Sequence, residues 1–369
     1  MTDDAASARE TGSEDLAAFV SAIGGDRSLR VEENLGEGFV RLRVGEAERR
    51  QAKHDVRCVE DAVIEMLRNA RDAGARHVYV ASSREGDLRT VVMLDDGDGI
   101  PQHLHKRVFD PRVTSKLDSV RMDRWGVHGR GMALYSISEN SQVAEVMDSE
   151  RGKGCALRVV IDTTKLPERA DQSTWPQMGT DDEGTRAIVR GPHNIIRTCC
   201  EFALEEHGGC EVYVGSPTEV IATARRRVRP SVEGTDLLFV DDLSVLPVLE
   251  RLYVAADASE LMEQAERLGL TVSERTVHRI LAGEVRPLRG VYGALTHTRR
   301  TRTGSKEVDL TKDRRGLKLT DDDLERFSAM LERDFAFIGE RYYLTLAGAP
   351  KVRASSSRIT VTFDLADSD

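Results

Sequence analysis

The sequence predicts an α+β protein: a layered domain with a mixed, largely antiparallel sheet, then a helical segment and a small C-terminal α+β region. Three observations carry that expectation. Residues 55–74 place Val56, Val59, Val63, Met66, Leu67 and Ala70 at helical spacing and stop at Gly74, the usual position for a left-handed cap. Two β-rich runs, 76–82 and 90–94, follow across the polar turn Arg84-Glu85-Gly86-Asp87. A second helical stretch, 132–140, precedes two more strands at 155–161 and 185–190, with a Pro/Asp/Gly-rich loop between them. Helix, hairpin, helix, hairpin is the order of antiparallel layering, in contrast to alternating βαβ crossovers.

The remaining elements fall around this centre. Residues 1–28 are polar and acidic and read as a flexible tail, with one short helix near 14–23. Residues 36–44 alternate like a strand, and 102–109 keep a faint periodicity within a turn-rich stretch. Beyond residue 190 the pattern gives a helix at 195–206, a strand at 210–214, helices across 242–282, a helix at 324–337, and strands at 341–346 and 358–365. The expected division is a tail (1–28), a layered α+β domain (29–230), a helical segment of helix-turn-helix outline (231–289) and a C-terminal α+β region (290–369).

Composition excludes several classes. With 40% hydrophobic and 31% charged residues, the chain can bury a core and is not disordered overall. No apolar run approaches the roughly 20 residues of a membrane helix. The acidic N-terminus has no signal-like apolar stretch, so a cytoplasmic location with no membrane partner is expected. A net charge of −10 argues against non-specific coating of nucleic acid, and the basic runs 225–229 and 299–302 read as solvated loops. The five cysteines form no CxxC pair, which fits reduced thiols; Cys199 and Cys200 read as two small residues on one helix rather than a redox sensor.

The chemistry concentrates between residues 65 and 185. Glu65, Asn69 and Asp72 share one helical face. An amide carbonyl there can ligate Mg²⁺, and a neighbouring carboxylate can activate a water aimed at a phosphate. Asp95-Asp96-Gly97-Asp98-Gly99-Ile100 follows an apolar strand, so a carboxylate at the strand end can accept from an exocyclic amine while the glycines admit close backbone approach. Thr114-Ser115-Lys116 and the glycine-rich turn Gly126-Val127-His128-Gly129-Arg130-Gly131 feed a helix N-terminus, where free N–H groups attract anions and Lys116 and Arg130 add charge. GxxxxGK[ST] is absent, so this is no P-loop. Gly184-Thr185 puts a hydroxyl at the start of a later strand. Each element alone has an ordinary explanation as a solvated pair, a capped turn or a loop.

Together, in this order, they resemble the motifs of the GHKL ATPases (gyrase, Hsp90, histidine kinase, MutL). Glu65 through Ala73 resembles the family's N-box, Asp95 through Ile100 the next motif, Gly126 through Gly131 the one after, and Gly184-Thr185 the closing step. The resemblance spans about residues 55–190. It implies a Bergerat-type ATP-binding α/β sandwich with ATP and Mg²⁺ as cofactors. Glu65 would be the general base and Asn69 the Mg²⁺ ligand. Asp95 would bind the adenine amine, supported through water by Thr185. Gly97, Gly99 and Ile100 would border the adenine. Ser115, Lys116, Gly126, His128, Gly129, Arg130 and Gly131 would surround the phosphates, with Asp72 completing the N-box.

Asp72-Ala73, Thr114-Ser115-Lys116 and Ser136-Ile137 resemble MutL and the ATP-binding component of topoisomerase VI in motif style, which favours a hydrolase or ATP-driven switch in a DNA or protein transaction, with an ATP-dependent homodimer. Asp98 departs from the proline or small residue common at its position. Lys312 and Lys318 are the candidates for the family's transducer lysine. Two other readings stand beside this one. Residues 258–282 outline a helix-turn-helix with Arg275, His278 and Arg279 projecting, which would make the chain a nucleotide-sensing DNA-binding regulator. A histidine-kinase-like phosphotransferase would need a long dimerising helix before residue 55, and the sequence offers none there.

Overall fold

The computed structural model describes residues 31–115, 121–128, 131–169, 171–180, 186–231, 242–296, 321–354 and 359–366. The chain divides into two compact units, Met1–Thr298 and Arg299–Asp369.

The first unit enters as a hairpin, β1 (Val31–Gly36) and β2 (Phe39–Leu42), turned through Glu37 and Gly38 and followed by a short helix, α1 (Glu46–Ala52). Helix α2 (Val59–Asp72) starts with Glu60 and Asp61 in its first turn and ends with Arg71 in its last, matching the helix dipole. Gly74, at φ +75, closes it, and Ala75 N–H donates back to the Ala70 carbonyl at 3.0 Å. Strands β3 (His77–Glu85) and β4 (Leu88–Asp95) form the expected hairpin. The short pieces β5 (Val113–Thr114), β6 (Arg121–Asp123) and β7 (Gly126–His128) lead to helix α3 (Ala133–Glu139). Next come β8 (Val143–Ser149), β9 (Cys155–Asp162), β10 (Gln177–Thr180), β11 (Arg186–Arg190), helix α4 (Ile195–Glu205) and β12 (Glu211–Gly215).

The main sheet has the order β12-β3-β4-β9-β8, antiparallel except where β12 runs parallel to β3. The α+β, mixed and largely antiparallel architecture is therefore the one expected. Strand alternation sorts its side chains between two cores. Val78, Val80, Val91, Met93, Leu157 and Val159 join α2 and α4 in one. Tyr79, Ala81, Val92, Leu94, Ala156 and Tyr213 join the second, on the opposite face. Burial on both faces explains why 91–94 is a continuous apolar run with no polar alternation.

That second core is closed by four helices: α5 (Pro217–Arg227), α6 (Val248–Val254), α7 (Ala258–Arg267) and α8 (Glu274–Leu281), with α9 (Val291–Thr296) beyond. The helix–turn–helix outline is present as α7 and α8, with Gly269 at φ +80 in the turn and Ser273 capping α8. Its apolar positions Ala265, Leu268, Leu270, Val277 and Ile280 are buried in the same core as the sheet residues. Arg251, only 1% exposed, fastens this layer: it donates to Asp148 at 2.5 Å and to the Leu246 carbonyl at 2.9 Å.

Two sequence expectations in this unit need correction, and one strand was not anticipated. The strand at 36–44 is the shorter β2, because Gly36 already ends β1 and Glu37 and Gly38 form the turn, all three at positive φ. Arg225–Arg227 end helix α5 instead of lying in a loop; a capping box between Ser216 and Glu219 starts that helix, and Pro217 occupies its first turn. Strand β8 went unread because its partly buried residues, Val-Ala-Glu-Val-Met-Asp-Ser, alternate weakly.

The second unit contains helix α10 (Asp321–Tyr342) and a hairpin of β13 (Lys351–Ala354) and β14 (Ile359–Thr362). Phe335 stacks on Phe363 at 5.1 Å between ring centres. In place of the strand expected at 341–346, α10 ends at Tyr342 and Tyr343 turns the chain at φ 55. Leu344 N–H donates to the Gly339 carbonyl at 3.1 Å, and Leu346 forms an isolated antiparallel bridge with Leu365. Lys312 and Lys318 lie outside the described residues.

Candidate functional site

A cavity of about 990 Å³ lies between α2, the C-terminal end of β4 and the loops around α3. Its helical wall is Glu65, Asn69 and Asp72, three residues of the face opposite the α2 core stripe. Its apolar wall includes Met93, Ile100, Val108, Leu134 and Leu157. Thr114, Ser115, Trp125 and Gly131 line it as well, and Arg57 and Arg151 contribute cationic side chains.

Asp95 ends β4 and is 7% exposed, with its carboxylate accepting the Gly97 N–H at 2.9 Å. Burial pushes its pKa up from 3.8 to about 7; the Gly97 bond pulls the other way, and the Asp96 and Asp98 charges add to the rise. Asp96, by contrast, faces outward to His77 and the Arg76 and His77 amides. The loop that follows is fixed by backbone contacts. A Cβ at Gly97 would meet the Ala73 carbonyl at 2.9 Å and Asp95 Oδ1 at 3.0 Å. Gly99 sits at φ +73 with the Glu150 carbonyl where a side chain would stand. Gly99 lines the cavity, whereas Gly97 is a backbone donor packed behind Asp95.

Asn69 carries a buried amide nitrogen with no hydrogen-bond partner. A buried amide donor without a partner is a costly arrangement, and Asn69 is a residue of the cavity wall. The polar groups are thus at hand for a nucleotide: a deep carboxylate, apolar walls for a flat ring and an uncommitted amide one helical turn from a carboxylate. Among the described residues no cluster of three or more His, Cys, Asp or Glu could hold a metal by itself.

Several expected residues can be placed only in part. Gly126 and His128 belong to β7, paired with Asp123 and Arg121. Gly131, at φ +67, accepts the Arg112 N–H at 2.8 Å. Lys116, Gly129, Arg130 and Thr185 lie outside the described residues. Cys199 and Cys200 are both fully buried in the α2–α4 core, and burial pushes the Cys200 thiol up to about 12, so they are packing residues.

Sequence reading missed three contributors. Arg68 is 2% exposed and donates to Glu65 Oε1 at 2.6 Å. Asp123 receives a two-pronged bond from the same Arg68, and nothing in a stretch without periodicity marks it. The loop 149–154 braces the Asp95 motif: Gly152 N–H donates to the Asp98 carbonyl at 2.7 Å.

The sandwich and its cavity define a GHKL-type ATPase domain. Residues 56–181 match the family described as histidine kinase-, DNA gyrase B-, and HSP90-like ATPase. The domain implies ATP binding. The chain is 44% identical over 82 residues to the DNA mismatch repair protein MutL of Thermus aquaticus, which covers 22% of this chain and 15% of that protein. It is 29% identical over 91 residues to MutL of Clostridium botulinum, covering 24% and 14% of the two chains. It is also 26% identical over 121 residues to the nitrogen regulation protein NtrY of Azorhizobium caulinodans, covering 30% and 15%. The chain thus spans about 15% of the length of the curated relatives it matches. Among the described residues, no helix is long and apolar enough to cross a membrane.

Proposed function

We propose that the chain hydrolyses ATP in a Mg²⁺-dependent reaction and uses the cycle as a conformational switch. The observation that carries this is one cavity wall that brings together Glu65 and Asn69, a turn apart on α2, and the buried Asp95 carboxylate at the end of β4. Asn69 would hold Mg²⁺, which would neutralise phosphate charge. The amide group can turn to present its oxygen to that ion. Asp95 would accept the adenine amine, with Ile100, Met93 and Leu157 against the ring. Glu65 would take the proton of the attacking water. Ser115, Gly126, His128, Gly131 and, beyond the described residues, Lys116, Gly129, Arg130 and Thr185 would complete the enclosure of the nucleotide.

The names of the MutL relatives support a DNA transaction as the process served, with DNA or a protein as partner and a nucleotide-dependent homodimer as the working form. The exposed Arg275, His278 and Arg279 of α8 are the DNA-facing candidates, although Arg279 already pairs with Glu284 at 3.1 Å. Salt-sensitive duplex binding that weakens on substituting Arg275 and Arg279 is the expected result; no binding to linear or supercoiled DNA removes that part of the reading. A cytoplasmic site of action accords with it.

The direct test is Mg²⁺-dependent ATP binding and turnover for wild type, Asp95→Asn and Glu65→Ala. Binding lost in the first variant, and turnover alone lost in the second, is the expected pattern. A Glu65→Ala protein that turns over at the wild-type rate overturns the mechanism.

A further inference from the structure

Two arginines of α2 and four carboxylates, Glu65 among them, form an ion network. The Arg68 guanidinium donates through Nε and Nη2 to the two oxygens of Asp123, at 2.9 and 3.0 Å, and through Nη1 to Glu65 at 2.6 Å. Its side chain is 2% exposed and that of Asp123 is 8% exposed. Asp123 is the last residue of β6, and its Oδ1 also accepts the Trp125 N–H at 3.1 Å, closing the turn into β7. Arg71 adds a tie to Asp123 at 3.3 Å while it binds Asp72 at 2.9 Å and Glu206 at 3.1 Å. The ribbon that leads into the Gly126–Gly131 segment is therefore fastened to the Glu65 helix through a shared guanidinium.

The geometry of that group decides the consequence. A guanidinium is a rigid plane, so two parallel bonds to Asp123 fix where its third donor points. Because Glu65 bonds that third donor, the direction of its carboxylate depends on Asp123. A lysine at position 68 would keep the charge and lose the fork. Solvent is nearly excluded, so neither partner can exchange the other for water without a substantial penalty.

We propose that Arg68 is a positioning residue for Glu65 and that Asp123 of the β6–β7 ribbon sets its orientation, so that proton abstraction is coupled to ribbon docking. This rests on Glu65 being the base, as proposed above. In the step itself the proton passes from water to Glu65, and Arg68 and Asp123 neither gain nor lose one. The adenine contacts proposed for ATP, Asp95 and the apolar wall, lie outside this network, although Glu65, Asp72 and Trp125 line the same cavity.

The test uses the full chain with Asp123→Asn, Asp123→Glu and Arg68→Lys, measuring kcat, KM for ATP and equilibrium ATP affinity. Trp125, beside Asp123, reports ribbon docking by its emission in a Trp175→Phe background. Asp123→Asn and Arg68→Lys should lower kcat by about 10- to 100-fold, the scale of a misaimed reacting group. KM and affinity should stay within roughly threefold. Asp123→Glu, which restores a carboxylate, should recover part of kcat, and Trp125 emission should shift in Asp123→Asn. An unchanged kcat in Asp123→Asn overturns the proposal. So does a parallel loss of kcat and ATP affinity, which marks a purely structural role; the milder Arg68→Lys variant reads the same split if Asp123→Asn fails to fold. Wild-type turnover in Glu65→Ala is a different failure, that of the base assignment itself.

Discussion

Ile100 donates its backbone N–H to Ser149 Oγ at 2.7 Å, and the same hydroxyl donates to the Gly154 carbonyl at 2.7 Å. One buried serine thereby joins the end of the Asp95 motif to the β8–β9 turn. His105 reinforces the join by bonding the Ser149 carbonyl at 2.9 Å. Ser149→Ala leaves the Ile100 N–H and the Gly154 carbonyl without this partner. The expected loss is about 1–3 kcal/mol of stability, measured by denaturant unfolding, with weaker ATP binding because Ile100 lines the cavity.

Gly99 and Gly86 offer a controlled comparison, since both take positive φ. Gly86 lies in the β3–β4 turn with nothing near its missing Cβ, so Gly86→Ala should cost only about 1 kcal/mol from backbone strain. At Gly99 the Glu150 carbonyl occupies the space, and the Gly154 carbonyl is 2.9 Å away. Gly99→Ala must push the two loops apart. A loss of roughly 2–4 kcal/mol, with ATP affinity reduced, is expected from paired unfolding and binding measurements. Equal losses at both glycines would contradict the close-packing account.

Asp95 is held in a site that disfavours its charge. Its pKa of about 7 in the folded protein stands above 3.8, so the folded state binds the proton more tightly than the unfolded chain. Stability from this group is therefore lowest above pH 7 and rises as pH falls from about 7 toward 4. Asp95→Asn removes the ionisation while keeping an acceptor for Gly97. Without nucleotide the variant should be more stable than wild type at pH 8, by up to about 4 kcal/mol at one pKa unit per 1.36 kcal/mol. The advantage should shrink as pH approaches 4. Melting temperature against pH for both proteins measures this; a constant difference across that range contradicts it. Loss of ATP binding in the stabilised variant would separate function from folding at one atom.

The parts of this molecule that were legible in sequence were those with local pattern. Helix α2 declared itself through Val59, Val63, Met66 and Ala70, and β4 through its apolar run into Asp95, so the helix-plus-hairpin centre and the site wall followed. Strand β8 was not legible, because a strand near the edge of the solvent-reaching layer carries mixed residues such as Glu145 and Asp148. The partners of Arg68 and Arg251 were not legible either. Asp123 lies 55 residues from Arg68 and Asp148 lies 103 from Arg251, and only the tertiary fold brings each pair together. Residues 258–282 had the right helices and the right buried face. What that face packs against, the back of the sheet, depends on strand order, which no local period encodes.

The Arg251–Asp148 pair joins that helical layer to β8, and its two partners are not equivalent. Arg251 is fully buried and also donates to the Ser244 carbonyl at 3.0 Å and the Leu246 carbonyl at 2.9 Å, whereas the Asp148 side chain is 29% exposed. Asp148→Ala leaves a buried cation with only carbonyl partners. Arg251→Met leaves an aspartate that can reach water, with the buried volume still filled. Asp148→Ala should therefore be the more destabilising change, at about 3 kcal/mol or more, and Arg251→Met the lesser. The double variant should fall well short of the sum, because the charge left unpaired by the first change is removed by the second. Hydrogen exchange should show lost protection concentrated in α6, α7 and α8 while α2 and β4 stay protected. If the two single variants lose equal stability and their effects add, the pair is not what holds the helical layer to the sheet.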